Sequence, residues 1–171
     1  YYPKRGRSLR GAKALIEGGS SFLEVQFPFS DPTADGVYIQ HACKQALDEG
    51  FKLTLGFELL AEIKELAPDI PLFVMSYGNI AYRLGIRNFL EKCKEAGAQG
   101  VIIPDLPPDY DEGLFAAGKK CNLKVIPVIA PTISTDRLKI IAETGAEYLY
   151  ASLRKGITGA VTEIGKENLD F

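Results

Sequence analysis

Apolar and polar positions along the chain follow two periods that take turns. Residues 8–18 place Leu9, Ala12, Leu15 and Ile16 on one side, the spacing of an amphipathic helix. Residues 22–27 are short and mostly apolar, which predicts a strand. Residues 39–60 predict a helix in two pieces, broken near Gly50, and residues 71–77 a second strand. Residues 81–96 predict a helix that ends at Gly97, a residue suited to a left-handed cap. Strands are then predicted over 100–105, 124–131 and 147–152, with helices over 111–121 and 135–144, the last capped at Gly145. The tail from residue 154 onward has no clear period and reads as a loop.

Strict strand–helix alternation with nearly continuous apolar strands is the mark of a parallel sheet covered by helices. Two architectures compete. A doubly wound sheet that binds a dinucleotide carries G-x-G-x-x-G after its first strand, and the chain has none. A barrel places functional residues at the C-terminal ends of several strands. Glu24, Tyr77, Asp105, Pro131 and Ser152 all fall at or near such ends. The expected fold is therefore a TIM (β/α)8 barrel. Only about five strands are legible, against the eight of a closed barrel. Residues 1–171 are expected to form a single incomplete barrel domain that lacks the first strand and the last two.

Composition narrows the partners. Hydrophobic residues make up 46% of the 171, enough for a packed core, and the formal charge is −2. The 20 basic residues are dispersed, so neither nucleic acid nor an acidic membrane is an expected partner. No apolar run reaches membrane-span length, and no signal-peptide pattern opens the chain. Cys43, Cys93 and Cys121 are scattered, without a C-x-x-C pair or a His partner, and read as reduced thiols of a cytoplasmic protein. The single histidine, His41, falls on a helix and reads as a surface residue. Lys94, Lys119 and Lys120 read as solvated helix faces. No lysine lies inside a strand, Lys124 at a strand start apart, which disfavours a Schiff-base aldolase.

Candidate chemistry gathers around one strand. Glu24 interrupts the apolar run Phe22-Leu23-Glu24-Val25. A carboxyl out of water has its pKa raised, which suits a general acid–base group. The following loop, Pro28-Phe29-Ser30-Asp31-Pro32-Thr33-Ala34-Asp35-Gly36, is stiffened by two prolines and adds two carboxylates above the strand end. Three acids on different backbone segments, without a nearby His, are a poor metal set, so no metal is expected. Either Asp is also a candidate helix cap, since Asp35-Gly36 precedes a helix.

The pattern E-x-x-x-P-F-S-D-P-x-A-D-G over these residues resembles the signature of the tryptophan synthase alpha subunit family. Met75-Ser76-Tyr77-Gly78-Asn79, Pro104-Asp105-Leu106-Pro107, Ala130-Pro131-Thr132 and Gly156-Ile157-Thr158-Gly159 resemble that family's later strand ends and mobile loop, in order and spacing. The resemblance implies a lyase of tryptophan biosynthesis that cleaves indole-3-glycerol phosphate by acid–base retro-aldol chemistry. It implies catalytic roles for Glu24 (acid–base), Asp35 (acceptor for the indole N–H) and Tyr150 (beside Glu24). Met75, Ile102 and Ile129 align with the indole-lining positions, although plain barrel core explains them as well. Thr158 and Gly159 align with the closing loop. Asp31 and Asn79 resemble the surface facing a beta subunit, which in the family carries pyridoxal phosphate and completes an alpha2beta2 heterotetramer. The chain itself is expected to hold no cofactor.

Two features depart from the pattern. The Gly-Phe-Gly and Gly-Ser loops that grip phosphate are absent after residue 159. Val25-Gln26-Phe27 replaces the commoner Leu-Gly-Ile, with Gln26 a mild change and Phe27 adding bulk near the mouth. The alternatives are a non-catalytic remnant that keeps only a partner-binding surface, and another phosphate-binding barrel enzyme such as an isomerase.

Overall fold

Four strands lie side by side in chain order, all parallel, and each pair is joined by helical connections. The computed structural model describes residues 1–152 of the 171. The strands are β1 (Leu23–Gln26), β2 (Leu72–Met75), β3 (Gly100–Ile102) and β4 (Lys124–Ile126). A second parallel pair, β5 (Val128–Ile129) and β6 (Tyr150–Ala151), continues from β4. The helices are α1 (Arg5–Glu17), α2 (Val37–Asp48), α3 (Leu53–Leu66), α4 (Gly78–Leu84), α5 (Ile86–Glu95), α6 (Leu114–Cys121) and α7 (Thr135–Glu143). A 3₁₀ turn, Pro108–Tyr110, precedes α6.

Two expected elements are split, each for a local reason. The helix expected over 81–96 is two helices, α4 and α5, parted at Gly85. Gly85 has φ +81°, a left-handed value that a residue without Cβ adopts freely, and a helix cannot pass through it. The strand expected over 124–131 breaks at Pro127, which has no N–H for the ladder. β4 pairs with β3, and β5 turns to pair with β6. Gly97 does cap α5 as expected: its φ is +94°, and Ala98 N–H bonds back to the Cys93 carbonyl at 2.9 Å.

Alternation along the strands sorts side chains onto two faces. Leu23, Val25, Leu72, Val74, Val101 and Ile103 face the helices and bury with Leu59, Leu60, Ile63, Phe89 and Leu90. Phe73, Met75, Ile102 and Ile126 form a separate small cluster on the inner face, with Val128 against it. Phe27 belongs to the outer face, contrary to the expectation that it crowds the mouth. Two residues beyond Val25, it points the same way, and its ring meets Phe57 edge-on at 5.4 Å. α7 is tied down by Arg137, whose guanidinium bonds both carboxylate oxygens of Asp109 in the 3₁₀ turn. No helix among the described residues is long and apolar enough to cross a membrane.

Candidate active site

The inner face gains its polar groups from β1. Among the described residues β1 pairs with β2 alone, with Glu24 opposite Phe73 and Gln26 opposite Met75. Glu24 and Gln26 alternate with buried Leu23 and Val25, so both face inward. Glu24 is exposed rather than buried. Its carboxyl still lies close enough to protein for its pKa to be raised, first by desolvation and then by the charge of Asp35.

The proline loop after β1 folds back over the strand ends. Thr33 N–H bonds to the Asp31 carbonyl at 2.8 Å and Asp35 N–H to the Pro32 carbonyl at 3.0 Å. The Phe29 ring stacks on Tyr77 with centroids 5.3 Å apart. The Tyr77 hydroxyl accepts from Ala34 N–H at 3.1 Å and donates to Asp35 Oδ2 at 2.8 Å. Gln26 Nε2 donates to the same Oδ2 at 2.7 Å. Asp35 is 8% exposed, so these two donors hold a nearly buried carboxylate. Asp35 does not cap α2. Gly36 stands at the N-cap, no side chain caps that helix, and the Asp35 carbonyl accepts from Gln40 Nε2 at 2.8 Å.

Tyr77 is buried, and its pKa is raised by desolvation and by its bond to Asp35, so its hydroxyl stays a donor. Tyr150 has its pKa raised by desolvation, then by the charges of Glu24 and Asp35. Glu24, Asp35 and Tyr150 are thus linked electrostatically. One strand further in, Asp105 reaches across from the end of β3 and accepts Gly78 N–H at 2.8 Å. An acid at the first residue of α4 also suits the positive end of that helix.

The other expected positions divide. Met75 and Ile102 are buried on the inner face and stand opposite each other in register. Val128 packs against the inner cluster, and Ile129, the next residue of β5, is half-buried like it. Asp31 is exposed and accepts from Ser30 Oγ at 2.6 Å, and Asn79 is exposed near the start of α4, at the same end of the sheet. Thr158 and Gly159 lie outside the described residues. Sequence reasoning passed over two residues that hold Asp35: Gln26, treated as a mild change, and Tyr77, noted only as a strand-end residue. The signal for Gln26 was an amide on the inward side of a strand, two residues past a carboxylate.

A cavity of about 530 Å³ opens at the opposite, N-terminal ends of the strands, lined by Lys94, Lys119, Asn122, Lys124 and Glu147 among others. It holds none of the three acids, and Lys124 is already paired with Glu147 at 2.8 Å. The candidate acids lie at the other end of the sheet. Among the described residues, no three His, Cys, Asp or Glu side chains converge as a metal set.

The family model for the tryptophan synthase alpha chain matches residues 1–170. The chain belongs to the tryptophan synthase alpha chain family. A family member from Helicobacter hepaticus is 41% identical over 170 residues, which is 96% of this chain and 64% of that protein. A solved alpha-subunit mutant from Pyrococcus furiosus superposes with a TM-score of 0.87 at 32% identity, covering 98% of this chain and 66% of that one. A structure described as the tryptophan synthase a2b2 complex of the same organism gives 0.82 at 33% identity, covering 87% of this chain and 60% of that one. The chain thus spans just under two thirds of the curated H. hepaticus relative. The parallel α/β fold is that of the alpha-chain barrel over this stretch, and the isomerase alternative falls away.

Proposed function

We propose that the chain is the acid–base portion of a lyase that cleaves indole-3-glycerol phosphate to indole and glyceraldehyde 3-phosphate. The observation that carries this reading is the pairing of Glu24, whose pKa is raised, with a nearly buried Asp35 carboxylate held by Gln26 and Tyr77. In this reading 1–171 is one stretch of a single barrel domain, running from beyond the first strand to short of the last two. The protein works in the cytoplasm, at the end of tryptophan biosynthesis.

The reaction needs a proton on indole C3 and then removal of a proton from the adjacent glycerol hydroxyl. Glu24 supplies the first as an acid and accepts the second as a carboxylate, and its raised pKa increases the acid form near neutral pH. Protonation puts positive charge on the indole ring. Asp35 accepts the ring N–H and stabilises that charge where it develops. As the hydroxyl proton leaves, its oxygen forms the aldehyde, the carbon–carbon bond breaks, and the electron pair returns to the ring to release indole. Tyr150 lies beside Glu24 and helps shape its surroundings. Met75, Ile102 and Ile129 offer apolar contacts to the flat ring, with Val128 against the same cluster, and Thr158 and Gly159 serve in substrate binding.

The chain itself works without a cofactor. Its partner is a beta subunit that carries pyridoxal phosphate, in an alpha2beta2 assembly, with Asp31 and Asn79 on the facing surface. The naming of a related structure as an a2b2 complex supports that part. The test is Glu24→Gln in the full-length protein with its beta subunit. Release of indole from indole-3-glycerol phosphate should fall by about 10²–10⁴-fold. Near-normal turnover would refute the assignment and favour a partner-binding remnant.

A further inference from the structure

Gln26 and Glu24 lie on the same face of one strand, two residues and therefore about 7 Å apart along it. Asp35 comes from a different element, the loop after that strand. Gln26 Nε2 reaches it at 2.7 Å, and this side-chain bond runs directly from β1 to the Asp35 carboxylate. Tyr77 adds a bond at 2.8 Å, from the neighbouring strand end. Both donors take the same oxygen, Oδ2, so neither occupies Oδ1. An ionised carboxylate only accepts, which fixes the Gln26 amide with its NH₂ toward Asp35. The second partner of that NH₂ is the weak one: Cys43 Sγ at 4.0 Å.

We propose that Gln26 is a positioning residue: it pins Asp35 to the strand that carries Glu24 and turns Oδ1 toward the substrate ring N–H. This rests on the lyase reading above and deepens it. A loop carboxylate free to swing would meet the ring N–H in only a fraction of its rotamers. Two donors on one oxygen leave a single arrangement, fixed relative to the proton donor on the same strand. The effect belongs to the protonated-ring state, where the acceptor counts most, so it shows in kcat more than in KM.

The experiment uses the full-length protein with its beta subunit and indole-3-glycerol phosphate. Gln26→Met keeps the shape and removes the donors. We expect kcat to fall about 10-fold to 100-fold, the range of a hydrogen bond to a charged group, with KM and melting temperature nearly unchanged. Gln26→Glu adds a signature: its carboxyl donates only when protonated. The ratio of its kcat to wild type should climb as pH is lowered, while the ratio for Gln26→Met stays flat. Gln26→Leu serves as the donor-free variant if Gln26→Met does not fold. The proposal is overturned if donor-free turnover stays near wild type, if the loss is in KM alone, if it tracks a drop in melting temperature, or if both pH ratios are flat. Glu24→Gln in the same assay separates the failures. An active Glu24→Gln sinks the lyase reading itself, whereas an inactive one beside a normal Gln26→Met sinks only the role of Gln26.

Discussion

The two faces of the sheet are built from the same strands and obey opposite rules. On the outer face, Leu23, Val25, Phe27, Leu72, Val74 and Val101 are buried against helices. On the inner face, an apolar patch of Phe73, Met75, Ile102 and Ile126 stands beside Glu24 and Gln26 on β1. The outer face converts burial into stability. The inner face spends some of that stability on keeping acids near one another. Glu24 has its pKa raised because its charged form is disfavoured there, which is a cost to folding at neutral pH and a benefit to proton transfer. Changes on the inner face should therefore alter turnover at little cost in stability, and changes on the outer face should do the reverse.

The largest break expected is Asp35→Asn. Turnover of indole-3-glycerol phosphate by the full-length complex should drop by about 10²–10³-fold, as when a group aimed at developing charge is lost. Steady-state kinetics at saturating substrate check it. On the outer face, Gly56→Ala should do the opposite. Its Cβ would sit 2.8 Å from the fully buried Phe27 ring, which has no room to withdraw. Overpacking of this kind costs about 1–3 kcal/mol, readable by urea unfolding, while activity per folded molecule stays normal.

Tyr77→Phe tests the boundary between the faces. It removes one donor from Asp35 and leaves the stacking on Phe29. A loss in kcat of about 10-fold is expected, the value of one hydrogen bond to a charged group. The smallest effect concerns Glu24 and pH. A raised carboxyl pKa in the folded state gives stability that is complete below the unfolded pKa and is lost as pH rises through the folded one. At neutral pH nothing of it remains, so Glu24→Gln should melt no lower than wild type by calorimetry. The same pKa makes kcat/KM fall as pH rises through it, since the acid form starts the reaction.

The outer face was legible from sequence because its physics is local: alternation and period give Leu23, Val25, Leu72, Val74 and Val101 directly. The acids were legible through the motif around Glu24 and Asp35. Two breaks were not, because a single residue decides each. Gly85 parts α4 from α5 inside an otherwise helical pattern, and Pro127 divides β4 from β5 inside an apolar run. Gln26 was passed over because its bond to Asp35 spans nine positions and exists only once the loop has folded back over β1.

The coupling of Glu24 to Asp35 is the centre of the account, and ¹³C NMR titration of the Glu24 carboxyl reads it most directly. In the full-length protein its midpoint should lie above the ordinary glutamate value of about 4.3. Asp35→Asn should lower that midpoint by removing the neighbouring charge, without restoring it fully, because desolvation is the larger cause. A midpoint in the ordinary range that Asp35→Asn does not move would contradict the account.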